Sequence, residues 1–122
     1  MSAPSRSLRL PRERRLRDGR DFDRARSEGR RLAVGCLVLN WVDALGEQTR
    51  VGVITSKKIG GAVVRTRARR LLRETFRRNQ HRIGRPVDIV LVARQSIVEK
   101  EFAAVEGDFV TALRRAELLK TE

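Results

Sequence analysis

The chain is short of the residues on which most small-site chemistry depends. Its 122 residues include one cysteine, one histidine, one tryptophan, four phenylalanines and no tyrosine. A single cysteine, Cys36, rules out an internal disulfide and a multi-cysteine zinc site, and its apolar surroundings mark it as core filling. His81 stands alone near the expected end of a helix, as a solvated or capping side chain does. The acids form no H-x-E pair, and the single D-x-D, Asp21-Phe22-Asp23, stands alone with no further ligand pattern for a divalent ion. With only Phe22, Trp41, Phe76, Phe102 and Phe109 as rings, most of them needed for a core, a sheet that reads nucleic acid by stacking bases on exposed aromatics is disfavoured. No apolar run approaches the roughly 18 residues of a membrane span, and the N-terminus lacks the apolar centre of a secretory signal. A cytoplasmic location is the expectation.

Acidic residues are also scarce, and unevenly so. The 28 Lys and Arg exceed the 15 Asp and Glu to give a net charge of +13. Between residues 49 and 87 there are 12 Lys or Arg and a single acid, Glu74, whereas residues 88–122 are mildly acidic. Self-repulsion of this size does nothing for folding, so a polyanionic partner is the economical explanation. Arginine supplies 24 of the 28 basic residues. Its planar fork pairs with phosphate in two-pronged fashion, although G+C-rich codon usage would favour the same residue.

The length suits one domain, 1–122, with residues 1–10 as a basic, poorly ordered arm. A short helix is expected from Arg14 to Ser27, with Leu16 and Phe22 on its apolar side and Gly29 ending it. Ala33–Val42 reads as one buried strand and Thr49–Thr55 as its hairpin partner across a turn at 43–47. Period-two alternation along the first strand puts Cys36, Val38, Asn40 and Val42 on one face, and Leu37, Leu39 and Trp41 on the other. The strongest helical signal runs from Ala62 to about His81. Val64, Ala68, Leu71, Leu72, Thr75 and Phe76 share one arc, and Arg65, Arg67, Arg69, Arg70, Arg73 and Arg77 sweep the other side. Gly84 and Pro86 end this helix. Val87–Ala93 is a further buried strand and about Glu99–Leu119 a last amphipathic helix. The order helix, strands, helix, strand, helix fits an α/β or α+β sandwich around a small sheet.

The stretch KKIGGAVVRTRARRLLRETFRR raises the question of a phosphate-cradling nucleotide site. Such a loop needs G-x-x-x-x-G-K-[ST], but here Lys57 and Lys58 precede Gly60-Gly61 and no G-K-[ST] follows, so a nucleotide hydrolase is rejected. The glycines leave two readings open: close approach to a phosphate backbone, or a tight entry into the helix. A run of charge is ordinarily a solvated face. Yet arginines at i, i+4 (Arg65, Arg69, Arg73, Arg77) repel one another, and acids would normally interleave them. Polyanion docking is therefore favoured. A near-pure arginine arc in a chain with strands suits folded RNA better than base reading in a DNA groove, so no DNA partner is expected.

The same stretch resembles the signature of the bacterial ribonuclease P protein component family, K-K-x-G-x-A-V-x-R-N-R-x-K-R-x-x-R-E-x-F-R. Lys57, Lys58, Gly60, Ala62, Val63, Arg65, Arg67, Arg70, Arg73, Glu74, Phe76 and Arg77 match it. The resemblance extends through LPRERRLRDGRDF, RVGVITSKKIG and VDIVLVAR to the final helix. In four places the chain departs from the pattern. Thr66 replaces the asparagine of R-N-R, Arg69 a lysine, Arg26 the second aromatic of the first helix, and Asn40 an aromatic of the first strand. The resemblance implies an α/β two-layer sandwich like domain 2 of ribosomal protein S5, with a left-handed βαβ crossover. It implies a subunit that assists a catalytic RNA in the endonucleolytic removal of the 5′ leader of precursor tRNA. Hydrolysis would fall to Mg2+ bound by that RNA in the holoenzyme, and the protein itself would hold no cofactor and no catalytic residue. RNA docking would fall to Lys57, Lys58, Arg65, Thr66, Arg67, Arg69, Arg70, Arg73 and Arg77. A cleft with Phe22, Arg26, Val38 and Asn40 would take the leader. Two alternatives of other classes remain: a ribosomal or ribosome-assembly protein that would use the same basic face, and a standalone nuclease, disfavoured by the absent catalytic constellation.

Overall fold

The structure is a computed structural model that describes residues 12–120; the arm expected over residues 1–10 lies outside them. Four strands form one sheet: β1 (Arg30–Val34), β2 (Leu37–Asp43), β3 (Arg50–Ile54) and β4 (Val87–Ala93). Their spatial order is β1-β2-β4-β3, with β2 antiparallel to both β1 and β4, and β3 parallel to β4. Three helices complete the fold: α1 (Gly19–Ser27), α2 (Ala62–Asn79) and α3 (Phe102–Arg115).

The sheet explains which face each strand residue serves. Leu37, Leu39 and Trp41 of β2, Val51 of β3, and Ile89 and Leu91 of β4 all turn to one side. There they pack against Leu72 and Phe76 of α2 and Val105, Phe109 and Leu113 of α3. This is the two-layer sandwich. The alternate residues of β4, Val90 and Val92, face the other way and meet Leu16, Phe22 and Ala25 around α1. α1 therefore lies on the side of the sheet opposite the long helices.

Three expectations need correction. Ala33–Val42 is two strands, because Gly35-Cys36 forms a two-residue hairpin turn between the paired residues Val34 and Leu37. Gly35 has φ +54°, the left-handed conformation that primed hairpin turns favour at their first position. Asp108 then fixes the turn by accepting the Cys36 N–H at 2.9 Å. This takes Cys36 out of the β2 alternation and into the core with Leu37 and Leu39, away from Val38 and Asn40. Second, β3 is no hairpin partner of the preceding strand, because β4 inserts between them. Being buried on both faces, β4 belongs at the interior of the sheet. Third, α1 begins at Gly19 rather than Arg14. Asp18 caps it, accepting the Arg20 N–H at 2.9 Å, while Leu16 N–H donates to Val51 O at 2.8 Å along the edge of β3.

α1 is held to the sheet by a buried carboxylate. Asp88, fully buried on β4, accepts from Arg24 of α1 at 2.6 Å and from both Nε and Nη2 of Arg50 at 3.0 and 2.8 Å. Arg50 also reaches Asp21 of α1 at 3.5 Å. The interlocked pairs satisfy a charge that would be costly to bury alone.

Candidate nucleic-acid interface

The sequence builds α2 as a helix with a core face and a cationic face, and the glycine turn sets where it starts. Lys57–Ile59 is a single 3-10 turn capped by Ser56, whose hydroxyl accepts the Lys58 N–H at 3.3 Å. Gly60 follows with φ +148°, and a Cβ there would come within 2.9 Å of Val64. The turn thus needs glycine both for its backbone and for helix contact. Gly61 is the N-cap of α2, and a Cβ there would meet nothing within 4 Å. Gly60 serves the tight entry, while Gly61 keeps the entrance open. Lys57 and Lys58 stand exposed beside it.

Seven of the nine predicted docking residues lie on α2, and they divide by what holds them. Arg65 donates to Gly60 O at 3.2 Å and so ties the first turn together. Arg69 bridges Thr55 Oγ1 at 2.8 Å and Thr66 Oγ1 at 3.3 Å, which leaves it half-buried. Thr66, where the family pattern has asparagine, is thus a partner of its own helix. Arg67 donates to Lys100 O at 2.7 Å and links α2 to the segment leading into α3. Arg77 grips Glu74 through two nitrogens, at 3.0 and 2.5 Å, and holds that carboxyl below its ordinary range. Arg70 and Arg73 are exposed and have no ion-pair partner among the described residues.

Two contributors escaped the sequence reading. Arg14 donates to Gln80 Oε1 at 3.0 Å, which lays the N-terminal segment beside the end of α2. Loss of hydration by the guanidinium against its neighbours, with the cations Arg15 and Arg69 nearby, lowers the Arg73 pKa. Arg15 therefore belongs to the same positive cluster. Nothing in the local sequence signals this, because it follows from the pairing of Arg15 with Val51 at the sheet edge.

The second predicted site lies across the sheet. A concavity between α1 and β2 is lined by Asp23, Arg26, Ser27, Arg31 and Asn40. Arg26 and Asn40 are thus brought together, and Arg31, paired in register with Asn40, joins them. Asn40 is only 3% exposed, and its amide donates to Val90 O at 3.4 Å. Val38 is buried on the same strand and does not line the concavity. The Phe22 ring lies directly over Gly52, where a Cβ would overlap it, and packs with Leu16 and Val90. The cleft's charge comes from two arginines and one aspartate.

His81 is exposed in the 3-10 turn Gln80–Arg82, and the Cys36 thiol is buried and pushed up to about 12 by desolvation and the Asp108 carboxylate. Among the described residues no three of His, Cys, Asp and Glu come together in a way that could hold a metal ion.

A family model described as Ribonuclease P matches residues 10–117. The ribonuclease P protein component of Syntrophomonas wolfei subsp. wolfei is 36% identical over 109 residues, covering 89% of this chain and 92% of that protein. The protein of the same name from Chloroflexus aurantiacus is 36% identical over 106 residues, covering 86% and 78%. Among solved structures, the Staphylococcus aureus RNase P protein superposes with a TM-score of 0.79 at 26% identity, over 88% of this chain and 98% of that one. The Thermotoga maritima RNase P protein gives 0.75 at 30% identity, over 83% and 96%. With its arginine helix, its glycine entry and its sheet order in place, the chain belongs to the ribonuclease P protein component family.

Proposed function

We propose that the chain docks the catalytic RNA of ribonuclease P through α2 and its glycine entry. In the same proposal it receives the 5′ leader of precursor tRNA in the concavity between α1 and β2. One observation carries the first part. Opposite the core side of α2, made by Ala68, Leu72 and Phe76, the fold exposes Arg67, Arg70 and Arg73, with Lys57 and Lys58 exposed at the helix entry. Those side chains are available to phosphates without disturbing the packing. The opposite placement of the concavity lets a second RNA segment bind at the same time.

Ribonuclease P is an endoribonuclease, and its RNA subunit is this chain's partner. Hydrolysis is assigned to the RNA. The Mg2+ of the holoenzyme has its ligands in RNA under this reading. The protein's part is to position and to neutralise: arginines fix phosphate geometry and lower the repulsion between two RNAs brought together. No helix among the described residues is long and apolar enough to cross a membrane. Work in the cytoplasm, beside newly made tRNA, belongs to the same proposal.

The test is the salt dependence of binding to the catalytic RNA. If about six side chains neutralise phosphates, the log–log slope is several units. Replacing Arg65, Arg67, Arg70 and Arg73 by alanine flattens that slope and leaves the core intact. A slope unchanged in this variant puts the RNA face elsewhere. In a cleavage assay, protein plus RNA and magnesium gives accurate 5′ maturation, and alanine at His81 or Cys36 leaves it unaffected. RNA-free cleavage abolished by either substitution means a standalone nuclease.

A further inference from the structure

We propose that the groove between α2 and the start of α3 seats one unpaired base of the docked RNA on an apolar floor, with the flanking phosphates on an arginine rim. This inference rests on the assignment of α2 as the docking helix and goes beyond it, since phosphate contact alone requires no apolar floor. The groove has a volume of about 970 Å³, at the upper end of the roughly 300–1,000 Å³ usual for ligand clefts.

Its floor is supplied by Val63, Leu71 and Phe102. Val63 is 84% exposed in the first turn of α2, an arrangement that packing within this chain does not explain. Phe102 opens α3 half-buried, and the Arg78 guanidinium lies over its ring, 5.0 Å from the centroid. A base entering here extends an existing cation–ring stack. The charges are arranged around the floor. Arg67, Arg70, Arg73 and Arg78 line the groove together with the single acid Glu74. Glu74 is paired with Arg77 and lies 4.0 Å from Arg78. A phosphate set against Glu74 would be repelled, whereas a neutral ring would not. The pattern of apolar floor, one carboxylate and outer arginines therefore matches a nucleotide with its base inward and its phosphates outward. An acidic peptide would satisfy the rim equally well, and the experiment separates the two.

The experiment uses the protein assembled with its catalytic RNA, and the variants Phe102→Leu and Val63→Ser. Affinity is measured over a range of salt concentrations, and the reactivity of unpaired bases is mapped by base-modifying reagents. Loss of one stacked base lowers affinity roughly five- to a hundred-fold. Phe102→Leu is expected in that range and Val63→Ser a few-fold below wild type, both with the salt slope unchanged because no charge is removed. One base, or a short run, that wild-type protein protects becomes reactive in both variants. Arg70→Ala instead lowers the slope by about one unit. Wild-type affinity and protection in both floor variants, with the slope still lowered by Arg70→Ala, overturns the base site and leaves docking on α2 standing. A slope untouched by Arg70→Ala and by the fourfold arginine variant overturns docking itself. Weaker binding with no base changing its reactivity also overturns the inference, and points to a peptide or backbone contact. Val63 is too exposed for its replacement to unfold the chain, so Val63→Ser remains decisive if Phe102→Leu proves unstable.

Discussion

At the scale of single residues, burial decides which side chains are chemically available. Cys36 is sealed beneath the β1–β2 turn, and its thiol is raised from 9.0 to about 12 by desolvation and the nearby Asp108 carboxylate. A raised folded-state value stabilises the fold while the group stays protonated. That contribution is complete below pH 9 and is lost as the pH rises toward 12. The native protein is expected to resist thiol alkylation at pH 8, and Cys36→Ala to lose less stability than wild type between pH 9 and 11; equal losses would show that Cys36 is not the titrating group. In the concavity proposed to receive the leader, the departures from the family pattern are Arg26 and Asn40. With Phe22 turned onto Gly52, Arg26 and Arg31 are the exposed groups able to stack on a base or bind a phosphate. Arg26→Ala is expected to lower the preference of the assembled complex for precursor over mature tRNA about tenfold, and Asn40→Tyr to raise it modestly, since stacking is worth roughly 1–3 kcal/mol per base. Binding of the two tRNAs measures both, and an unaltered preference in Arg26→Ala would remove the leader from this cleft. The crowding of Arg26 and Arg31 was half legible in the sequence: the departures at 26 and 40 were visible, but not the pairing of Arg31 with Asn40.

At the scale of elements, two attachments invite measurement. α3 ends with Glu117 at φ +62°, its N–H on Arg114 O at 3.0 Å and the Leu118 N–H on Leu113 O at 2.9 Å. That is a helix stop at which glycine is the usual residue. Glu117→Gly is expected to raise stability by about 0.5–1 kcal/mol, because the left-handed conformation is unfavourable for a residue with a Cβ. Denaturant unfolding reads this, and a loss of stability would mean that the glutamate side chain matters more than its backbone. α1 depends on Asp88. Asp88→Ala leaves Arg24 and Arg50 without their carboxylate and is expected to cost about 3–5 kcal/mol, as removal of one partner of a buried pair does. It is also expected to loosen α1, read as faster amide exchange over residues 19–27 than over α2. Of these elements α2 was the most legible, because eighteen residues of strict amphipathic spacing leave no competing reading. The β1–β2 hairpin was not, since its only turn signal is one glycine inside an apolar run. The lone acid in VDIVLVA was the available clue that a buried strand carries an ion pair, but its partners are 38 and 64 residues away.

At the scale of the whole molecule, the charge map read from the sequence largely survives folding, because the basic segment 49–87 delivers nine of its twelve cations to one helix and the turn before it. A net charge of +13 makes salt act in opposite directions on two properties. Screening relieves self-repulsion, so the melting temperature of the free protein is expected to rise between 20 and about 200 mM salt, while affinity for RNA falls over the same range. A melting temperature that falls with salt would show that the fold does not bear the repulsion attributed to it. The sheet order was not legible, since neighbouring strands in sequence usually pair and here β2 and β3 do not, β4 lying between them. That order governs timing during synthesis. β2 and β3 both bond to β4, the last strand to be made. A nascent chain that has reached residue 86 therefore holds a β1–β2 hairpin, an unpaired β3 and the entire arginine helix, with no strand to seat them. Sheet closure waits for residues 87–93 to leave the ribosome, itself a large assembly of RNA, while the cationic helix is already outside.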